Sequence, residues 1–275
     1  MRLIAIDMDH TFLRENKTYD IERTYSVFKA LRKQGDIICI ATGNPIQILK
    51  KYFDDEFDPM LYYAADNGSF IFKEGRVLDM LSIERSSFEK IMKVIDSYDD
   101  IHTVVTTDRQ AYTKTKSLKT FREVNDVLSG FGPVNDWSQI PSRESIIKVS
   151  SYSQKPIHGE IVRKIKTTIP YVDAVRSAPL WNDVYNERSG KGHAINYLQN
   201  KYFISQANTI CFGDSLNDES MMKRAKYSVA VSNADPVLKA QCDYEIGSND
   251  EESVLDLLEN LIQTDNWEFM KQYKK

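Results

Sequence analysis

Two pairs of acids stand close behind short apolar runs: Asp7 and Asp9 after Leu3-Ile4-Ala5-Ile6, and Asp214 and Asp218 after Thr209-Ile210-Cys211-Phe212. Runs of this kind read as strands buried on both faces of a sheet. Ligands of open α/β sheets gather outside the carboxyl ends of such strands. Four carboxylates converging there would repel one another unless a cation or shared protons intervened. Hard oxygen ligands favour magnesium over zinc. A single Asp-x-Asp would carry little weight, because acidic surface turns are common. Two acid pairs behind two buried strands carry far more.

Two further groups have the chemistry to handle phosphate. Thr42 ends another apolar run, where its hydroxyl and the amides that follow can bind phosphate oxygens. Lys191 lies between Gly190 and Gly192 at the start of a helical pattern. A cation there can offset charge developing on a transferred phosphoryl group. A solvated loop lysine would be the plainer reading, and it gives way only because the other parts are present.

The elements that must position these residues fall into three stretches. Up to about residue 80 the pattern alternates: strands at 3–6, 36–41 and 61–65, with helices around Ile21, Tyr25, Phe28 and Leu31 and around Ile46, Leu49 and Phe53. Asn44 is expected to cap the second helix ahead of Pro45. Asn67-Gly68 marks a turn, and a hairpin is expected about Lys73-Glu74-Gly75. Between residues 80 and 185 the texture changes. Helical stripes (Phe88, Ile91, Met92, Ile95; Ile157, Ile161, Ile165, Ile169) accompany strands at 101–107, 145–152 and 172–176 that lack acids at their ends. The last ninety residues return to the first pattern, and Asp250-Glu251-Glu252 is placed in the first turn of a closing helix. The outer stretches imply one parallel sheet, with the middle inserted into it.

Composition bounds the rest. The 275 residues allow one large domain or two modest ones, and 41% hydrophobic with 28% charged residues describes an ordinary globular protein. A net charge of -4 gives no sign of the basic excess of a nucleic-acid surface. No run approaches a membrane span, and the few residues before Asp7 are too short for a signal peptide. Cys39, Cys211 and Cys242 are too far apart for metal-ligand spacing and read as small core residues. A cytoplasmic protein is therefore expected, with no protein partner evident.

As a set, Asp7-Met8-Asp9-His10-Thr11, Thr42-Gly43-Asn44, Lys191 and Gly213-Asp214-Ser215-Leu216-Asn217-Asp218 resemble the four ordered motifs of the haloacid dehalogenase superfamily. Asn67-Gly68-Ser69 and Val231-Ser232-Asn233-Ala234 further resemble its Cof-type branch, mostly sugar-phosphate phosphatases with a large cap between the second and third motifs. The resemblance implies a Rossmann-like parallel-sheet core at residues 1–80 and 186–275, and an inserted α/β cap at 81–185. It implies a magnesium-dependent phosphatase acting on a small phosphorylated metabolite. Asp7 would be the nucleophile, and Asp9 the acid and then base whose backbone carbonyl also binds Mg2+. Thr42, Gly43, Asn44 and Lys191 would hold the phosphoryl group. Asp214 would ligate the metal directly with Asp218 in support, and Asn217 would orient the phosphate or the lysine.

His10 stands where the motif usually has glycine, and Asn44 where it often has arginine. His10 is read first as a tolerated loop substitution, with contact to substrate as the alternative. Arg109, Lys114, Lys116, Lys119 and Arg122, interleaved with Tyr112 and Phe121, read first as a solvated face and second as a surface that attracts an anionic substrate. Trp181, Asn182 and Asn186 are possible pocket residues, with a packing role at least as good for Trp181. A phosphomutase of the same fold and a non-catalytic phosphate-binding regulator are the competing functions. Intact Asp7, Asp9, Lys191 and Asp214 speak against the second of these.

Overall fold

In the computed structural model, which describes residues 1–117, 132–155, 158–178 and 180–275, the N-terminal apolar run forms β1 (Leu3–Asp7), buried throughout. The chain divides into two units, Met1–Asp79 with Gly190–Lys275 and Met80–Ser189. In the first, β1 pairs in parallel with β2 (Ile37–Ala41) and β12 (Thr209–Gly213). β3 (Leu61–Ala65), β13 (Tyr227–Val231) and β14 (Tyr244–Ile246) extend the parallel array outwards. The hairpin strands β4 (Phe70–Lys73) and β5 (Arg76–Met80) complete eight strands in the order β14-β13-β12-β1-β2-β3-β4-β5. Their two-residue turn, Glu74-Gly75, has both φ angles positive, as a tight hairpin turn requires.

Register aligns the functional ends. Asp7 lies opposite Ala41 and Ile6 opposite Phe212, so Thr42 and Asp214 each follow a strand end that neighbours Asp7. The helices form where the apolar stripes predict them. α1 (Ile21–Lys33) begins at Asp20, whose carboxylate accepts from the Arg23 amide at 2.9 Å, and the chain leaves it through Gly35 at φ 85°. α2 (Ile46–Tyr52) corrects one expectation: Pro45, not Asn44, is the residue before the helix, and it offers no side-chain cap. The Asn44 amide is engaged elsewhere. The acids Asp250 to Glu252 also fall outside the closing helix, because Glu252 adopts a left-handed conformation and the helix runs from Ser253 to Thr264.

The second unit has a six-stranded sheet, ordered β10 (Val172–Ala178), β11 (Trp181–Asn186), β9 (Ile146–Tyr152), β6 (His102–Thr107), β7 (Ala111–Lys114), β8 (Gly132–Val134). The paired strands are antiparallel except β7 with β8. Phe88, Ile91 and Ile95 of α3 (Arg85–Ile95), with Ile161 and Ile165 of α4 (His158–Thr168), share one core with Val105, Val149 and Val184. Ile157, expected at the head of that second stripe, lies outside the described residues, as do Lys119, Phe121 and Arg122. Three strands of this unit were not legible in advance. β11 (Trp-Asn-Asp-Val-Tyr-Asn) mixes polar and apolar residues on both faces, β7 lies within the basic run, and β8 has only three residues.

Candidate active site

Lys191 opens the helix α5 (Lys191–Tyr202), and its side chain has no exposure to solvent. Its ammonium donates to Asp7 Oδ1 and to Asp218 Oδ1, each at 2.5 Å. Burial alone would lower the lysine pKa, yet the charges of Asp218 and Asp7 outweigh it and raise the pKa. The loop after β12 wraps around Asp218, whose other oxygen accepts from the amides of Asp214 and Ser215 at 3.0 and 3.1 Å. Glycine is required at 213, since a Cβ there would lie 2.5 Å from Asp218 Oδ2. Asp214 accepts from the Thr11 hydroxyl at 3.1 Å.

Asp7, Asp214 and Asp218 each place a carboxylate oxygen within 4.8 Å of the others. Burial pushes the Asp7 carboxyl up to about 7, against the pull of Lys191 and with the help of Asp214. Asp214 is raised by burial and by Asp218, and Asp218 by burial, opposed by Lys191 and assisted by Asp7. With all three carboxyls ionised, one ammonium would leave two negative charges, so a divalent cation here would balance the group and favour the ionised forms that burial opposes. The donor set is all oxygen, which suits a hard cation. The residues therefore fit a metal of the magnesium type.

Thr42 is buried, and its hydroxyl accepts from the Asn44 amide at 3.1 Å. Gly43 follows it, packed against the Asn67 side chain. Asn67 binds the pieces together. Its amide donates to the Thr42 carbonyl, its carbonyl accepts from the Gly190 amide, both at 2.9 Å, and its Oδ1 accepts from Asn217 Nδ2 at 3.2 Å. Asp66, Asn67 and Gly68 all have positive φ, and a Cβ on Gly68 would run into the Gly190 carbonyl. Sequence reading saw here only a turn and a family motif. The turn signal itself pointed to the place, but not to the contacts.

Asp9 belongs to the same loop as Asp7, but its carboxylate is not part of the three-carboxylate group. It accepts from Lys17 Nζ at 2.8 Å and from Asn44 Nδ2 at 2.5 Å. Lys17, missed by sequence reading, has φ 63°, a left-handed conformation that costs a side chain with a Cβ about 1 kcal/mol. His10 also has a positive φ, 57°, at the position where the motif usually has glycine. Its ring is 46% exposed and faces Glu15 at 3.0 Å, while its carbonyl accepts from Asn233. In the second unit, Trp181 packs on Tyr152, Asn186 donates to the Ser82 carbonyl at 2.8 Å, and Asn182 is buried in the sheet.

A parallel sheet with carboxylates beyond its strand ends and a buried lysine at the start of a neighbouring helix, interrupted after the hairpin by an α/β unit, is an α/β enzyme core with an insertion. Residues 4–258 match the family of haloacid dehalogenase-like hydrolases, and the chain belongs to that family. It is 26% identical to the 5-amino-6-(5-phospho-D-ribitylamino)uracil phosphatase YbjI of Escherichia coli K12, over 96% of this chain and 97% of the relative. Among solved structures, SMU.1108c of Streptococcus mutans UA159 superposes with a TM-score of 0.89 at 27% identity, covering 95% of this chain and 99% of that one. The subclass IIB sugar phosphatase BT4131 shares the fold, with a TM-score of 0.76 at 19% identity and coverage of 95% and 99%.

Proposed function

We propose that this chain is a magnesium-dependent phosphatase that hydrolyses small phosphorylated metabolites, sugar phosphates foremost, through a phosphoryl group carried on Asp7. The observation that carries the reading is the buried meeting of Asp7, Asp214 and Asp218 around Lys191. A carboxylate oxygen of Asp7 attacks phosphorus, and the bond from phosphorus to the alcohol oxygen breaks. Asp9 gives that oxygen its proton. Water then attacks phosphorus and surrenders a proton to Asp9. The bond between Asp7 and phosphorus breaks, freeing inorganic phosphate and restoring the carboxylate.

Lys191, Thr42, the Gly43 amide and Asn44 hold the phosphoryl oxygens, and Asn217 orients the lysine or the phosphate. His10, half exposed on the loop that carries Asp9, is a further candidate for contact with the substrate. Asp7, Asp214 and the Asp9 carbonyl would hold Mg2+, with Asp218 behind them. When bound, the ion offsets the charge that sets carboxylate and phosphate against each other. The named substrate of YbjI carries a phosphorylated ribityl chain and BT4131 is a sugar phosphatase, which supports a sugar or polyol phosphate here. No described helix is long and apolar enough to cross a membrane, and three free buried cysteines suit a reducing cytoplasm.

The test is release of free phosphate from a panel of phosphorylated metabolites and aryl phosphates, with Mg2+ and after chelation. Asp7→Asn is expected to abolish release and Asp9→Asn to reduce it strongly. Release unaffected by either substitution would sink the reading. Phosphate that moved to a second position on the sugar without being freed would favour a phosphomutase instead.

A further inference from the structure

Asp9 is the proposed acid–base group, and two donors outside the buried cluster hold it. Lys17 donates to Oδ1 and Asn44 to Oδ2, so one donor on each oxygen fixes both the place and the plane of the carboxyl group. We infer that Lys17 is a positioning residue for Asp9, anchoring Oδ1 so that Oδ2 is presented to the oxygen that leaves phosphorus. This rests on the role proposed for Asp9 above.

Neither local conformation nor stability explains a lysine at this position. The turn is closed by the Arg14 amide on the Thr18 carbonyl and the Lys17 amide on the Arg14 carbonyl, each at 2.9 Å. Asn16 secures it by accepting from both the amide and the hydroxyl of Thr18. This framework needs nothing from the lysine side chain, and glycine would take the left-handed φ without strain. The ion pair is 44% exposed on the lysine side and 34% on the aspartate side, where such pairs add little stability. Backbone strain kept beside a reactive group, with no structural return, is the pattern expected of a functional constraint.

The chemistry gives the contact a measurable consequence. As the ester bond breaks, the departing oxygen takes the proton from Asp9 Oδ2, while Oδ1 keeps its hydrogen bond to Lys17. The need for that proton grows with the basicity of the departing oxygen. A poorly aimed acid therefore harms phenyl phosphate, whose phenol has a pKa of about 10, more than 4-nitrophenyl phosphate, whose phenol is more acidic.

The experiment compares the wild type, Lys17→Gly, Lys17→Arg and Asp9→Asn on these two esters with Mg2+, together with thermal melts. Lys17→Gly is expected to lower kcat/KM, which reads cleavage of the ester and not hydrolysis of the shared intermediate, roughly tenfold on phenyl phosphate and less than about twofold on 4-nitrophenyl phosphate, part of the 10²–10⁴-fold span of proton-transfer catalysis. Lys17→Arg should restore most of the loss. The Tm of Lys17→Gly should equal or exceed that of the wild type, because the strain is relieved. Equal losses of kcat/KM on both esters, no loss, or a lowered Tm would each overturn the inference. A wild type that frees no phosphate, or an Asp9→Asn variant as fast as the wild type, would instead overturn the reading beneath it.

Discussion

The two units bury polar side chains in opposite ways. In the first, parallel strands point the same way, so polar residues that follow them collect at one edge. Asp7, Thr42, Asp214 and Asp218 meet there, and both oxygens of Asp218 are engaged. In the second, antiparallel strands have no common end, and buried polar groups spread across the sheet in small local sets. Ser150 donates to Asp183 at 2.7 Å, Thr113 to the Thr103 carbonyl at 2.8 Å, and Glu144 accepts from Thr107 and Tyr112. Both side-chain polar atoms of Asn182, and the hydroxyl of Ser151 opposite it, are buried without a hydrogen-bond partner among the described residues. Polar groups gathered at one edge make each charge matter to all its neighbours. Scattered sets confine the damage of any one change.

The strongest way to break this contrast is Lys191→Met. Two buried carboxylates would lose their shared cation. Removing one partner of a buried pair costs about 3–5 kcal/mol. Loss of a charge-stabilising donor lowers kcat by about 10²–10³-fold. A melt and a rate on 4-nitrophenyl phosphate should therefore both collapse. A variant that keeps its Tm would show that the cluster does not depend on the ammonium.

The cysteines of the first unit probe its apolar strands instead of its polar edge. Burial pushes the Cys39 thiol up to about 12 and Cys242 to about 11, and raises Cys211 well above the usual thiol range. The raised values keep these groups as unreactive thiols at pH 8, because only the thiolate attacks. Alkylation of the native protein at pH 8 should be at least about 10²-fold slower than after unfolding, when all three react. Fast native labelling would mean that the strands open.

The same contrast explains what could be read in advance. The edge cluster was legible because parallel buried strands announce themselves as apolar runs, and the acids follow them directly. Three of the four acids expected to converge, Asp7, Asp214 and Asp218, come together, with Lys191 beside them, whereas the Asp9 carboxylate turns to Lys17 and Asn44 instead. Lys17 was not legible, since a lysine in a polar turn looks like any other until its φ and its partner are known. Asn44 was misread as a helix cap because Asn before Pro has that local meaning, whereas its amide reaches across to Asp9. In the second unit the helices were legible from their stripes. β7, β8 and β11 were not, because strands whose polar residues fall on both faces lose the two-residue period.

Asn182→Val sharpens the comparison from the other side. The asparagine leaves two polar atoms of a buried strand without a hydrogen-bond partner among the described residues. Valine removes them and suits a strand, so the variant should be more stable by about 1 kcal/mol, seen as a rise in Tm. A loss of stability would mean that Asn182 has a partner, such as an ordered water.

Lys114→Met should have the smallest effect. The residue sits in the basic run that sequence reading weighed as a surface for attracting anions. In the structure its ammonium pairs with Asp96 at 2.8 Å and lies 5.2 Å from the centre of the Trp137 ring. A lysine so engaged has little charge left to offer a substrate. Its pair is partly exposed, and such pairs are worth about 0–1 kcal/mol. Methionine keeps the contact with the ring while removing the charge. KM and kcat on a sugar phosphate should therefore both stay within about twofold of the wild type. A KM raised more than about fivefold at constant kcat would show that the charge acts at a distance, and that the inserted unit draws substrate in even through a lysine already paired.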